Sequence, residues 1–275
     1  MTRSEWIAGI VAVTVVVAAA AAWWWAGRTP TRSVVAEPGV SQAPAAPDSP
    51  AVASAPGSVE IAMPEPAVSE SPLSGADIGP ALGRLLGGEA TQRWLQLDDF
   101  ARRVVVTVDN LGREHAPSMW WPVVPTAGRF AVVEREGRTM IDPGNAARYE
   151  PFVRFVEGVD SAAAVGLYVR LLPLLQQAYE GLGYPGRRFH TRLLGVVDHL
   201  LAAPAAPDWI EVQLTQVRGP IASTRPWVRY EFADPALQSA SAGHKLMVRV
   251  GAAHQRRLKA KLAELRAELL RRAER

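Results

Sequence analysis

The fold is decided by residues 161–182, which read Ser-Ala-Ala-Ala-Val-Gly-Leu-Tyr-Val-Arg-Leu-Leu-Pro-Leu-Leu-Gln-Gln-Ala-Tyr-Glu-Gly-Leu. Apolar residues recur there at intervals of three and four, which is the spacing of one helix face, and neighbouring positions widen that face. The apolar positions are Ala164, Val165, Tyr168, Leu171, Leu172, Leu175, Ala178, Tyr179 and Leu182. A stripe this wide predicts a helix that is buried on several sides. Pro173 lies inside the segment and predicts a kink.

The same periodicity predicts helices on either side of this central segment. Apolar residues at helical spacing run from Trp94 to Val108, from Pro185 to Leu201 and from Leu258 to Leu269. The last of these lies in the basic stretch 255–275, which has eight basic and three acidic residues. This helix could dock on a partner groove or on anionic lipid. We favour the other interpretation, in which its leucines pack in the core and its basic face meets solvent.

Strands are predicted where apolar and polar residues alternate. Residues 130–141 read as two short strands joined by a turn, and 209–217 and 227–232 each alternate as strands with one buried face. Asp142-Pro143 and Asp234-Pro235 predict helix starts, with Asp as the N-cap and Pro at the first helical position. The sequence therefore predicts a mainly α domain with a small antiparallel β component, in the α+β class.

An apolar segment near the start of the chain predicts a membrane anchor. Residues 6–27 carry no charge and have tryptophans at both ends. As a helix they would span about 33 Å, enough to cross a bilayer, and indole prefers the interface. Residues 1–5 form a short stub before this transmembrane helix. The alternative is a signal peptide cleaved before Trp23, because Ala20 and Ala22 form a small-x-small site.

A linker rich in proline and alanine separates this segment from the domain. Residues 33–72 contain eight prolines, nine alanines and no Lys or Arg. Such a composition cannot bury enough surface to offset the entropy cost of ordering. We therefore predict a disordered linker over 28–72, with a reach between roughly 40 and 120 Å. The soluble domain then occupies residues 73–275.

Composition excludes several kinds of chemistry. The chain of 275 residues has no cysteine, so disulfides, thiolate nucleophiles and cysteine-based metal sites are ruled out. None of the five histidines are spaced i,i+4, and no cofactor-binding loop occurs, so neither a metal nor a cofactor is predicted. The nearest stretch to a serine nucleophile elbow, residues 239–243, fails at its first position. The net charge of +3 comes largely from the basic stretch 255–275, which gives no case for nucleic-acid binding.

Several short segments, in this order and spacing, resemble one bacterial family. They are Val108-Asp-Asn-Leu111, Ala147-Arg-Tyr-Glu-Pro151, Pro173 with Gln177-Ala-Tyr179, Leu182-Gly-Tyr-Pro185 and Phe189, Asp198-His-Leu-Leu201, Arg229-Tyr-Glu-Phe-Ala-Asp-Pro235, and Lys245 with Arg249. The family is known as domain of unknown function 3014. The resemblance implies an N-terminal anchor and a Pro-rich linker but no activity. Two segments depart from the family pattern, namely 236–239, which lacks an acidic residue, and 252–254, which reads Ala-Ala-His in place of Pro-x-Asn.

Polar residues of complementary charge at the ends of elements form the candidate ligand site. They are Asp109, Asn110, Arg148, Tyr149, Tyr179, Arg229, Tyr230, Asp234, Lys245 and Arg249. We predict that they converge on a pocket for a polar or anionic ligand. In the alternative interpretation Asp109, Asn110 and Asp234 cap helices and the arginines form structural ion pairs.

Together these features predict a location and two functions. The anchor contacts the bilayer of a bacterial inner membrane, in a single pass. The domain lies in the periplasm, because a large domain behind a short stub is usually translocated. The first function is a membrane-tethered binding or scaffold module of the cell envelope, without catalysis, whose partner is an envelope protein or an anionic ligand. The alternative is an envelope hydrolase with an unrecognised polar active site. The sequence does not predict an oligomeric state.

Overall fold

The computed structural model describes residues 71–215 and 229–274. The predicted transmembrane helix at 6–27 and all but the last two residues of the predicted linker lie outside these ranges. The anchor, the linker and the periplasmic location therefore stay predictions.

Nine α-helices form the bulk of the described residues. They are α1 (Ile78–Leu86), α2 (Gly88–Trp94), α3 (Phe100–Leu111), α4 (Glu150–Glu157), α5 (Ser161–Gly181), α6 (Phe189–Leu201), α7 (Pro235–Ser239), α8 (Ala242–Arg249) and α9 (Ala252–Ala273). Short 3-10 helices at Gly75–Asp77, Ser118–Trp120 and Pro143–Arg148 connect some of them. The predicted fold class, mainly helical with small antiparallel sheets, is confirmed.

Helix α5 is the centre of the main core, as its wide apolar stripe predicts. It packs against α1, α3, α6 and α9. Its first turn is capped by Asp160, whose side chain accepts a hydrogen bond of 2.7 Å from the Ala163 amide. The helix continues through Pro173, which lies on its exposed side, and ends at Gly181.

The predicted helix from Trp94 to Val108 is confirmed over residues 100–108, but the prediction of one continuous helix from Trp94 is wrong. Helix α2 ends at Trp94 and α3 begins only at Phe100. Just after Trp94 the chain is extended, because the amide of Gln96 donates to the Pro122 carbonyl and the amide of Val124 donates to the Trp94 carbonyl. Pairing with a distant loop thus replaces helix geometry in this segment, although the apolar spacing continues through it.

Two other predicted helices have clear outcomes. The helix predicted to open at Pro185 begins at Phe189, because Gln176 of α5 accepts from the Phe189 amide (2.8 Å) and donates to the Arg187 carbonyl (2.9 Å). In α9 the leucines at 258, 262, 265 and 269 are each at most 1% exposed. The core-packing interpretation of the basic helix is therefore confirmed.

Two antiparallel strand pairs flank a second, smaller core. Strands β1 (Val132–Arg135) and β2 (Arg138–Ile141) form the predicted hairpin. Strands β3 (Val212–Leu214) and β4 (Tyr230–Phe232) pair likewise. Strand β3 begins three residues later than predicted, and residues 216–217 and 227–228 of the predicted strands lie outside the described residues. A bridge between Met140 and Glu211 joins the two pairs. The apolar residues beneath them are Phe130, Ile141, Ala206, Ile210, Val212, Phe232 and Val248.

In the described part of the chain, no single helix is both long and apolar enough to cross a membrane. By length and composition alone, the pair α4 and α5 would pass together, but these helices meet at a bend of 83°.

Candidate functional site

The ten predicted ligand residues fall into two sets by their contacts. Asp109, Asn110 and Tyr179 lie around the C-terminal end of α3. Arg148, Tyr149, Tyr230, Lys245 and Arg249 lie between α8 and the strands. Asp234 contacts the backbone of α7, and the Arg229 carbonyl contacts Thr215 beside β3. A ligand role for any of them stays a prediction.

Asp109 is a buried carboxylate surrounded by donors. Its Oδ2 accepts from Arg113 Nη2 at 2.7 Å and from the Tyr184 hydroxyl at 3.1 Å, while its Oδ1 accepts from Arg192 Nε at 3.1 Å. Arg192 also donates to the Asp109 backbone carbonyl at 2.5 Å. Two cations and a phenol therefore satisfy this one acid, which is 6% exposed.

The remaining residues of the first set are also satisfied locally. Tyr179 stacks on Tyr184 with ring centroids 4.7 Å apart, and burial together with the Asp109 charge raises the pKa of Tyr179. Asn110 donates from Nδ2 to the Val106 carbonyl at 2.8 Å. Helix α3 ends at Leu111 with Gly112 as its C-cap, so the expectation that Asp109 and Asn110 cap it is wrong.

Asp234 has a structural contact through its side chain, and Arg229 has one through its backbone. The Asp234 side chain accepts from the Ala236 amide at 2.8 Å, which confirms its predicted role as the N-cap of α7. The Arg229 carbonyl accepts from the amide (2.9 Å) and the hydroxyl (2.8 Å) of Thr215.

Arg249 is a deeply buried cation of the second set. Only 7% of this residue is exposed, its guanidinium lies 4.3 Å from the centre of the Phe232 ring, and Nη2 donates to the Tyr230 carbonyl at 3.2 Å. Burial lowers the pKa of Arg249 to about 10, although Tyr149 and Glu231 act in the opposite direction. The free-energy cost of removing this charge from water thus exceeds the stabilisation that its neighbours provide.

The neighbours of Arg249 are polar but mostly engaged. Burial raises the pKa of Tyr149 to about 12, against the pull of the adjacent arginines. Arg148 donates to the carbonyls of Ala127 (3.0 Å) and Gly128 (2.8 Å). Lys245 donates from Nζ to the Gln238 carbonyl at 2.9 Å, and burial lowers its pKa.

A cleft of about 210 Å³ opens beside Arg249. Its other lining residues are Ile141, Asp142, Pro143, Asn145, Ala146, Pro207, Asp208, Ile210, Val250, Gly251, Ala252, Ala253 and His254. The turn that departs from the family pattern, 252–254, is thus part of its wall. His254 is held there by the Val250 carbonyl at 3.1 Å from Nδ1 and by Glu150 at 2.9 Å from Nε2.

Glu150 accepts hydrogen bonds from His254 and from two arginines. Hydrogen bonds from Arg257, His254 and Arg154 lower the pKa of Glu150 to about 2, so it remains a carboxylate over the physiological range. Both nitrogens of His254 thus face acceptors. The sequence drew attention to this position only through its departure from the family pattern.

A histidine pair and a serine adjoin the Asp109 set, and none of the three was predicted as a site residue. Ser241 Oγ is the N-cap of α8 and lies 2.6 Å from Nε2 of His199 on α6. The rings of His199 and His244 stack with centroids 3.9 Å apart and planes 7° apart. Burial first, then His244 and Arg192, lower the pKa of His199.

Gly243 makes this contact between α8 and α6 feasible. A Cβ atom at Gly243 would lie 2.6 Å from Leu200 Cδ2 and 2.9 Å from the Leu111 carbonyl oxygen. Only a residue without a side chain fits between these helices. The amide of Ala242 also donates to the Arg113 carbonyl at 2.6 Å, which joins α8 to the end of α3.

A larger cleft of about 500 Å³ contains none of the predicted residues. It lies between α1, the start of α3 and the second half of α5, and Leu97, Phe100 and Leu174 are among its walls. Within residues 71–215 and 229–274, no three His, Cys, Asp or Glu side chains come together in a way that could hold a metal ion.

The fold and these polar sets describe a helical α+β domain arranged around one buried helix. The chain belongs to the family described as Protein of unknown function (DUF3014), whose model matches residues 100–266. The resemblance seen in the sequence is therefore confirmed, and the match runs from α3 into α9, across both polar sets. Neither the curated proteins nor the solved structures provide a match.

Proposed function

We propose that this protein is a membrane-tethered binding module of the bacterial cell envelope, whose domain holds an anionic group in the cleft beside Arg249. The apolar segment 6–27 and the linker 28–72 support the tether, through their length and composition. The observation that carries the ligand assignment is a buried arginine among the residues that line a cleft.

The energetics of Arg249 favour an anion. A buried cation whose pKa is lowered by desolvation gains stability from any negative charge that approaches it. A guanidinium also presents several donors in a planar fork, which matches the oxygens of a carboxylate or a phosphate. The amides of the first turn of α9, beginning at Ala252, add a favourable partial charge.

The rest of the cleft restricts the ligand. The Asp142 carboxylate accepts from the Gly144 amide at 2.7 Å and so is occupied as an N-cap. Asp208 is exposed and lines the same cleft. A volume of about 210 Å³ suits one small head group. The ligand class is therefore a compact carboxylate or phosphate that also bears a hydroxyl or amine for Asp208.

The alternative function, an envelope hydrolase, finds no support among the ten predicted residues. Their two carboxylates are both occupied, Asp109 by Arg113 and Arg192 and Asp234 by the α7 amide. The ten contain no serine or histidine that would supply a nucleophile and its base.

The tether is tested by extraction. In native membranes the full chain should stay in the pellet after a carbonate wash at high pH, because about 20 apolar residues hold a helix in the bilayer. A variant that begins at residue 28 behind a cleavable signal peptide should be released. Full-length protein in the wash, or a mature chain that begins at Trp23, would remove the tether from the proposal.

The ligand site is tested by calorimetric titration of the full chain in detergent with glycerol 3-phosphate and with inorganic phosphate. Arg249→Met should weaken binding by about 10- to 100-fold, the value of a hydrogen bond to a charged group. Arg249→Lys should weaken it less, because the charge is kept but the fork is lost. Arg138→Met is the matched control, since this exposed arginine lies on the hairpin and outside the cleft. Equal affinity for the Arg249 and Arg138 variants would contradict the assignment.

A further inference from the structure

The N-terminal end of α8 brings a serine hydroxyl and an imidazole into direct contact. Ser241 Oγ and His199 Nε2 are 2.6 Å apart, and both residues are half-buried rather than sealed in the core. We propose that Ser241 is a nucleophile for acyl transfer, with His199 as its general base and small carboxylic esters as its substrate class. This activity goes beyond the proposed binding function and uses a different end of α8.

The hydrogen bonds around Ser241 direct its proton. The His244 amide donates to Ser241 Oγ at 3.1 Å, which occupies one acceptor position of the hydroxyl. The hydroxyl proton then points to Nε2 of His199, which accepts it when the ring proton is on Nδ1. This is the arrangement that a serine nucleophile and its base need.

The surroundings keep His199 in the neutral form that can accept a proton. Burial and the neighbouring His244 and Arg192 all oppose a positive charge on the ring, and no carboxylate among residues 71–215 and 229–274 forms a hydrogen bond with it. A base with a lowered pKa stays unprotonated to lower pH than an ordinary histidine. Its activity should therefore persist in mildly acidic conditions.

His244 acts as a positioning residue. Its ring stacks face to face on His199, and its Nε2 lies 2.8 Å from the His199 carbonyl, to which it donates. The imidazole of His199 thus cannot swing away from Ser241 without breaking the stack. The His244 amide at the start of α8 also favours negative charge on Oγ as its proton moves to His199, before the bond to substrate is complete.

The reaction balances with water as the only co-reactant. Oγ of Ser241 forms a bond to the ester carbonyl carbon while its proton moves to Nε2 of His199. The C–O bond to the alcohol breaks, and the alcohol leaves with that proton. Water then attacks the acyl-serine, His199 takes one proton from it, and the carboxylic acid leaves as Ser241 recovers its proton.

The experiment must separate this role from a structural one, because serine is also a common N-cap. The full chain in detergent is treated with a fluorophosphonate probe, and the modified serine is mapped by mass spectrometry. We expect modification of Ser241 alone. Ser241→Asn should abolish it while keeping an N-cap acceptor, and His199→Gln should slow it by on the order of 10²-fold. Ser239→Ala, at an exposed serine two residues away, should label like the wild type.

A pH profile adds a readout that a structural hydrogen bond would not produce. Labelling of the wild type should rise with pH through a midpoint below 6.5, the ordinary value for histidine, because His199 must be neutral. Absence of label on Ser241 in the folded wild-type chain would overturn the proposal. An unchanged rate in a folded His199→Gln variant would overturn it as well.

Discussion

Asp109 and Arg249 are two buried charged residues with very different surroundings. Asp109 meets two arginines and a tyrosine hydroxyl, so both of its carboxylate oxygens accept from a charged or polar donor. Arg249 meets a carbonyl and an aromatic face, and its pKa is lowered by burial. A charge that is matched in the folded chain is part of the scaffold. A charge beside a cleft whose pKa is lowered by burial is where a ligand gains most.

The largest effect should follow removal of the matched charge. Asp109→Ala leaves Arg113 and Arg192 facing each other without their acid, and we expect a loss of about 3 kcal/mol in the free energy of unfolding. Arg249→Met should change it by no more than about 1 kcal/mol, because an apolar side chain removes the desolvation cost along with the bonds. Urea unfolding of both variants measures the difference.

The control for that comparison is Asp98→Asn, since Asp98 is an exposed acid just before α3 whose side chain makes no described hydrogen bond. It should unfold like the wild type. If Arg249→Met proved as destabilising as Asp109→Ala, both charges would be structural and the contrast between them would disappear.

A smaller effect should come from His190, a buried polar group that carries no charge. It is 0% exposed, its Nδ1 lies 2.8 Å from the Tyr168 hydroxyl, and burial lowers its pKa to about 4. As pH falls below 6.5, His190 becomes protonated in the unfolded chain but stays neutral in the folded chain. Stability is therefore lost between about pH 6.5 and pH 4, and the loss from pH 7 to pH 5 should be about 2 kcal/mol.

Unfolding in urea at pH 7 and at pH 5 measures this loss. In His190→Gln the difference between the two pH values should shrink by that amount. His115→Gln, at an exposed histidine, should keep the wild-type difference. A wild-type chain equally stable at both pH values would show that His190 accepts a proton in the folded state, so that it resembles Arg249 more than a neutral core residue.

The sequence predicted those features that depend on local pattern. The central helix, the β1–β2 hairpin and the Asp234 N-cap all follow from spacing within a few residues, and the family follows from a series of short motifs in order. The sequence did not predict the break between Trp94 and Phe100. The break depends on pairing with residues 122–124, and the spacing of apolar residues carries no information about that pairing.

The candidate site was predicted less well for the same reason. Residue types at element ends drew attention to Asp109 and Arg249, but only the packing shows that they belong to separate sets. Ser241 and His199 are 42 positions apart, and a serine in a Ser-Ala-Gly turn has no distinctive spacing to a histidine on another helix. His254 was marked only by a departure from the family pattern, and its contact with Glu150 spans 104 positions.

Close packing at Gly243, which has no side chain, restricts the movement of α8. With Leu200 and the Leu111 carbonyl pressed against its backbone, this helix of eight residues can neither roll nor slide without a collision. The helix is about 12 Å long and is held rigidly in this position. The distance from Ser241 at one end of α8 to Arg249 at the other is thus fixed by this packing, and the two ends of the helix move together.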